Sequence, residues 1–320
     1  MTETVIVRRR EALVQRTMAG GNLSAALALA VWLLGGWASC ARAETLRWKL
    51  NPGEVLRYTM ESKQVENFQV MGRNKKSTRS TTTNLNWTVK NVSANGDAEI
   101  VQRIERVRMR LEQPPFVPIE FDSSPNKLEI PEEFEAAERQ IKALAGAELT
   151  FKMGPTGAVR DLTISERTLK NLREGLPKDA PGRESGSEQG LKDMLLQSSP
   201  PAFPVNSLDA GKSWAAKPSK IPIPGLGTLT LDKVFTFQGP DPKTPRLLLV
   251  GLEARTSLEP AEGVTAKIRT QEGTGSLTFD AESGRIVNSR NKQKMEMIIT
   301  DRGQDIIQSS DTTTIMTLEP

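Results

Sequence analysis

The sequence predicts a mainly β protein: a large curved antiparallel sheet, half-barrel-like and divisible into two duplicated meanders, with two or three helices packed on it. Three observations predict this. Apolar and polar residues alternate at a period of two over most of the chain. Glycine, asparagine and proline signals break the runs at hairpin spacing, and helical periodicity is confined to the middle.

In residues 55–62, Leu56, Tyr58 and Met60 face one way while Arg57, Thr59 and Glu61 face the other. Val107, Met109 and Leu111 alternate with Arg106, Arg108 and Arg110, yet upstream the apolar parity is opposite, at Ile100 and Ile104. One extra residue near Glu105 and Arg106 reconciles the two, so a β-bulge is expected there. Late in the chain Met295, Met297 and Ile299 alternate with Lys294, Glu296 and Ile298, and residues 301–304 read as a turn into a last strand ending near Met316. Turns are expected at Ala94-Asn95-Gly96-Asp97, Gly154-Pro155-Thr156-Gly157, Gly239-Pro240-Asp241-Pro242 and Glu282-Ser283-Gly284.

Residues 131–145 read as a helix: Pro131 suits the first turn, Glu132 and Glu133 sit where the helix dipole favours anions, and Gly146 is a stop. Phe134, Ala137, Ile141 and Leu144 form its apolar face. Ser165 with Leu169, Leu172 and Leu176 predicts a second helix, and residues 190–197 a third, after a polar surface linker over 177–190. The expected division is therefore a signal segment over 1–43, a first β-meander half over 44–130, a helical and loop insert with one hairpin over 131–200, and a second β-meander half over 201–320. A faint internal echo accompanies it. Leu50-Asn51-Pro52-Gly53-Glu54-Val55-Leu56-Arg57-Tyr58 loosely resembles Leu208-Asp209-Ala210-Gly211-Lys212-Ser213-Trp214, a glycine turn before an aromatic-bearing strand, and 151–159 resembles 279–286.

The N-terminal segment differs from the rest. Arg8, Arg9, Arg10 and Arg16 precede an apolar run over 23–37 that ends in Ala41-Arg42-Ala43, the small-x-small pattern of a signal-peptidase site. The run of 15 residues is short for a span, since a bilayer core takes about 20. Cleavage after Ala43 would leave Glu44 as the new N-terminus. Two other readings stay open: an uncleaved signal anchor, and lipidation at Cys40, although Trp37 is bulky for a lipoprotein box. All three place the folded part outside the cytoplasm, periplasmic or extracellular, either free or membrane-anchored.

Composition removes many functions. The chain has no histidine and one cysteine, which excludes His-dependent triads, His-ligated metals, thiolate zinc sites and an internal disulfide framework. Five of the 43 basic and two of the 39 acidic residues fall in 1–43, leaving 38 against 37, so a nucleic-acid role has no electrostatic support. Neither cofactor nor catalytic residue is expected. Ser185-Gly186-Ser187 and Gly273-Thr274-Gly275-Ser276 lack the setting of a nucleophile elbow; the second reads as a turn or bulge between strands. Glu132, Glu133, Glu135 and Glu138 read as a solvated helix face. Glu296, Asp301 and Asp305 bracket a hairpin without calcium-loop spacing.

Other features leave room for binding. The stripe Arg103, Arg106, Arg108, Arg110 and the run Arg73, Lys75, Lys76, Arg79 offer contacts to phosphate headgroups or an anionic glycan, against the plainer reading of solvated strand faces. Met60, Met71, Met109, Met153, Met194, Met295, Met297 and Met316 recur at apolar positions, soft material for a core or for a cavity wall.

Leu50-Asn51-Pro52-Gly53, the Pro-rich lead-in over 200–204, the restart Gly211-Lys212-Ser213-Trp214 and the Phe279-Asp280 hairpin closed by Gly284 together resemble a family of uncharacterised secreted bacterial proteins, a domain of unknown function. The likeness spans residues 46–318 and implies no catalytic residues. In layout the chain is also similar to the half-barrel carriers of the bacterial envelope, of the lipoprotein-carrier type, where a curved sheet closes around an apolar cavity capped by helices. The resulting expectation is an exported, non-enzymatic envelope protein that binds a lipid or other apolar small molecule in a sheet–helix cavity. The alternative is a structural module that docks another envelope protein through a sheet face or edge.

Overall fold

The structure, a computed structural model, describes residues 43–70, 72–124, 130–175, 201–223, 225–301 and 304–320. Its strands are β1 (Val55–Val70), β2 (Arg73–Val92), β3 (Ala98–Glu112), β4 (Ile119–Asp122), β5 (Glu148–Met153), β6 (Val159–Ile164), β7 (Ser213–Ala215), β8 (Ser219–Ile223), β9 (Gly227–Pro240), β10 (Leu247–Pro260), β11 (Thr265–Asp280), β12 (Arg285–Asp301) and β13 (Gln304–Leu318). All belong to one antiparallel sheet, in the order β6-β5-β3-β2-β1-β13-β12-β11-β10-β9-β7, with β4 on β3 and β8 on β9. The sheet is open: its edges are not joined. Two α-helices are described, α1 (Glu135–Leu144), preceded by a 3₁₀ turn over Glu132–Phe134, and α2 (Glu166–Gly175). The third helix expected over 190–197 and the linker over 177–190 lie outside the described residues.

The first and last strands pair in the middle of the sheet, β1 against β13 from Tyr58–Leu318 to Val70–Ile306. To either side the chain lays down strands in the same order, β1-β2-β3-β5-β6 in one half and β7-β9-β10-β11-β12 in the other. The turns before β1 and β7 are built alike. The Gly53 N–H donates to Val89 O (2.8 Å), Glu54 N–H to Asn51 O (3.1 Å) and Val89 N–H to Glu54 O (2.9 Å). The Gly211 N–H donates to Phe237 O (2.7 Å), Lys212 N–H to Asp209 O (3.0 Å) and Phe237 N–H to Lys212 O (2.9 Å). Both glycines have left-handed φ, 82° and 88°, which a side chain would strain.

One face of the sheet is concave, and aromatic contacts establish it. Trp87 on β2 and Phe279 on β11 are four strand steps apart, about 19 Å on a flat sheet. Yet the Trp48 ring lies 5.8 Å from Trp87 and 6.1 Å from Phe279, so the two are within about 12 Å and the sheet bends around Trp48. Ring contacts continue outward through Trp87–Phe151 (5.7 Å), Phe203–Phe279 (5.2 Å) and Phe203–Trp214 (6.3 Å), from β5 to β7. Leu46 and Trp48, arriving from the N-terminal side, and Phe203 and Leu208, preceding β7, fill this end. Leu46 is 1% exposed. Backbone bonds hold the plug to both halves: Trp48 N–H to Pro155 O (2.8 Å) in the β5–β6 turn, and Lys49 N–H to Gly284 O (3.0 Å) in the β11–β12 turn.

The bulge expected near Glu105 and Arg106 is present. Leu85 pairs with Ile104 and Asn84 with Arg106, so Glu105 is the extra residue and Val107, Met109 and Leu111 return to the concave face. There they meet Phe121 of β4 and the α1 face of Phe134, Ala137, Ile141 and Leu144. Helix α2 starts at Ser165, whose Oγ accepts the Thr168 N–H (3.2 Å), and Leu169 packs on Leu149 and Ile164.

Gly273-Thr274-Gly275-Ser276 departs from its expected role as a turn or bulge between strands: it is the interior of β11. The glycines are there for space. A Cβ on Gly273 would stand 2.5 Å from Ala254 O, and one on Gly275 2.5 Å from Asn291 Oδ1. Just beyond, β10 and β11 part: their pairing ends at Glu253–Thr274, while β10 stays on β9 as far as Pro260–Gly227. Gln271 bridges the gap with its amide, its Oε1 accepting the Thr256 N–H (2.6 Å) and its Nε2 donating to Thr256 O (2.8 Å). Thr256 is buried, so its backbone needs these partners. Gln271→Ala is expected to lower stability by about 1–3 kcal/mol in denaturant unfolding, with Glu272→Ala on the same strand near neutral.

Candidate ligand-binding trough

Register identifies the residues on the concave face beyond the aromatic end. Directly opposed residues share a face, so Met60, Thr83 and Val107 lie together, as do Met60, Met316 and Ser289. Followed along each strand, the same parity carries Met295, Met297 and Ile299 on β12 and Met153 on β5. All six described methionines (60, 109, 153, 295, 297 and 316) therefore point into the concave side. Met71 and Met194 lie outside the described residues.

Exposure divides this trough into two parts. At the plugged end Tyr58, Phe237, Phe279, Ile286 and Val250 are sealed. Towards the other end Met60, Met295 and Met316 are only half-buried. The wall there is not the uniformly Met- and Leu-lined surface that the carrier layout implies. Ser62, Gln64, Thr81, Thr312, Thr314, Asn291 and Gln293 form a polar band across β2, β1, β13 and β12, with Ser62 and Thr314 hydroxyls 3.3 Å apart; Arg79 stands opposite Gln64 at its margin, and the Gln64 amide donates to Glu66 (2.9 Å). Past the band the face turns apolar again, at Phe68, Met297, Ile299 and Ile306, with Met297 buried. The trough is thus apolar, then polar, then mixed, with Lys75 and Arg73 in register with Phe68 and Val70 on the same face.

Burial sets the electrostatics of the walls. Burial pushes the Tyr58 phenol far above its ordinary value, and its hydroxyl donates to Ile286 O (3.3 Å). Lys233, on the concave side of β9 opposite Ala254, has its ammonium pKa lowered by desolvation. On the outer face the charges pair instead. The Arg106 guanidinium bonds Asp122 (3.0 Å) and holds its carboxyl below the usual range, and Arg110 bridges Glu112 (2.8 Å) and Glu120 (2.6 Å). Arg103 lies 3.8 Å from Glu148. The arginine stripe singled out in the sequence is therefore largely neutralised by its own neighbours. Two recesses open on that outer face. One of about 490 Å³, beside the β2–β3 turn, includes Asn91, Asp97 and Lys152, and there the hydrogen bond from Arg160, then that from Asn95, lowers the Asp97 pKa. The other, of about 390 Å³, includes Arg108, Glu120 and Asp122. The first is lined mainly by polar and charged groups, whereas Met109 and Phe121 make the second as apolar as it is polar.

The remaining candidates separate. Glu135 pairs with Arg139 (3.2 Å) and Glu138 with Lys142 (2.6 Å) along the surface of α1. Glu296 pairs with Arg269 (3.2 Å), and Asp305 accepts the Thr300 hydroxyl (2.7 Å). Neither group converges on a reacting position. Cys40, Ala41, Ser185 and Ser187 lie outside the described residues. Ala43 is exposed, and Glu44 is the first residue paired, exchanging backbone bonds with Leu208 (3.0 and 2.8 Å). Among the described residues no helix is long and apolar enough to cross a membrane.

Sequence reasoning missed the plug and the polar band. Trp48 and Phe203 lie in segments without periodicity, and only their isolated large rings marked them. The band was hidden because Thr and Ser are at home on either face of a strand.

No protein-family model and no curated protein matches the chain. Among solved structures it is similar to lipovitellin, described for its lipid–protein interactions, at 10% identity over 85% of this chain and 26% of that one, TM-score 0.46. The chain thus spans about a quarter of the lipovitellin chain. It is also similar to DynF from the dynemicin biosynthesis pathway of Micromonospora chersina (11% identity, 88% of each chain, TM-score 0.22). A third likeness is to a DUF1329 family protein from Desulfovibrio piger (8% identity, 79% of this chain and 83% of that one, TM-score 0.15). Likeness at this level carries no function.

Proposed function

We propose that this chain is an exported binding protein, without catalysis of its own, that holds a lipid-like amphiphile in the trough. The observation that carries the reading is the distribution of methionine. All six described methionines project from the concave face, and four of them (60, 109, 295 and 316) are half-buried there, not sealed. Methionine is flexible and polarisable, so such a wall adapts to a chain of varying shape. The polar band beyond the apolar end would meet a headgroup or ester through hydroxyl and amide bonds. Acyl burial supplies the affinity, and no reaction is required. The absence of histidine and the pairing of Glu135, Glu138 and Glu296 with nearby cations support a role in binding rather than turnover.

The sheet edges argue against the edge form of the alternative, docking by strand addition. Pro222 within β8 removes a donor from one edge, and β6 at the other is short and has Asp161 in a left-handed conformation (φ 53°).

Titration with a dansylated fatty acid tests the reading. Saturable binding is expected, weakened about tenfold by Met60→Asn with Met316→Asn, since each replaces apolar wall by a polar group. Ile315→Asn, on the outer face of β13, should leave it unchanged. Absence of saturable binding, or equal loss from the outer-face variant, would contradict it.

A further inference from the structure

The far end of the trough differs in charge from the outer face described above. Arg73 and Lys75 lie in register with Val70 and Phe68 at the tip of the β1–β2 hairpin, and Lys76 follows on the reverse face. All three cations are exposed and, among the described residues, none is within ion-pair or hydrogen-bond distance of a partner, unlike Arg106 and Arg110. Val70 at the tip is 36% exposed. The β3–β4 loop points towards the same end: β3 finishes at Glu112 opposite Thr78, five residues along β2 from Arg73, and the loop beyond it presents Phe116 (65% exposed) and Val117 (82% exposed). Exposed apolar side chains, Val70 beside the unpaired cations and Phe116 and Val117 on a loop pointing to the same end, fit an interface with two components, anionic headgroups outside and acyl chains within.

We propose that this rim docks the protein on an anionic lipid bilayer. Arg73, Lys75 and Lys76 contact lipid phosphates, and Phe116, Val117 and Val70 enter the headgroup boundary. Charge and exposure at the rim suffice for this docking, whether or not the trough holds a ligand.

The test is co-sedimentation of the full chain with phosphatidylcholine vesicles, with and without phosphatidylglycerol, at low and high ionic strength. Binding is expected on the phosphatidylglycerol vesicles only, and it should fall with salt. Neutralising three cations (R73Q, K75Q and K76Q together) should weaken partitioning by at least about tenfold, as each basic residue near an anionic surface contributes about fivefold. F116S with V117S should weaken it in a less salt-sensitive way. Both variants alter exposed side chains, so unchanged circular dichroism and melting should accompany them. Equal binding to neutral and anionic vesicles, no association at all, or an unaffected triple variant would overturn the proposal. No association is also the outcome if the basic run serves an acidic glycan or protein instead.

Discussion

Trp48→Ala is expected to lower the unfolding free energy by about 3–5 kcal/mol, the largest single-residue loss anticipated here. The residue is 5% exposed and bridges both halves, with Trp87 on one side and Phe279 on the other. Alanine would leave a cavity at the point around which the sheet bends, and the surrounding rings sit on strands whose pairing prevents collapse into it. The indole N–H is buried with no acceptor among the described residues, a cost of about 1–3 kcal/mol that the native fold carries. Trp48→Phe removes that orphan donor and keeps a ring, so its loss should fall well below alanine's. Chemical denaturation of the three proteins measures both differences. Equal losses for Phe and Ala would show that ring contacts do not hold this end together.

Gly284→Val should destabilise by about 3 kcal/mol or more, for two reasons that can be separated. Gly284 has φ 65°, a region that β-branched residues resist. Its Cβ would also stand 2.6 Å from Lys49 Cβ and 2.7 Å from Lys49 N, the group that donates to Gly284 O. The substitution therefore pushes the plug strand away from the turn that anchors it. Gly211→Val is the control. It has the same handedness, φ 88°, and nothing within 4 Å of a built Cβ, so it carries the backbone strain alone. The difference between the two, read from thermal or denaturant unfolding, isolates the contact with Lys49.

How much of this was legible in the sequence follows from what each signal depends on. Strand parity is local, so the alternation at Leu56, Tyr58 and Met60 and the switch between Ile104 and Val107 gave the strands and the bulge at Glu105 directly. The α1 face and its stop at Gly146 (φ 77°) were equally local. Which strand neighbours which is not local. Nothing in the alternation says that β1 pairs with β13, and the curvature arises only when Trp48 is placed against both Trp87 and Phe279. The glycine pair at 273 and 275 was misjudged for the same reason: it answers to Ala254 and Asn291 on the adjoining strands, not to a turn. The methionines were visible as apolar positions, but their shared face appeared only with the register. The polar band between them could not be anticipated, because a threonine in a strand carries no mark of the side it faces.

Whether the trough holds a lipid-like molecule can be read by comparing native with denaturing mass spectrometry of the gently purified, full-length gene product. The expected result is a stoichiometric excess mass in the native spectrum that disappears on denaturation and is recovered in an organic extract as an acyl-bearing compound. Identical masses in both spectra, with an empty extract, would contradict it.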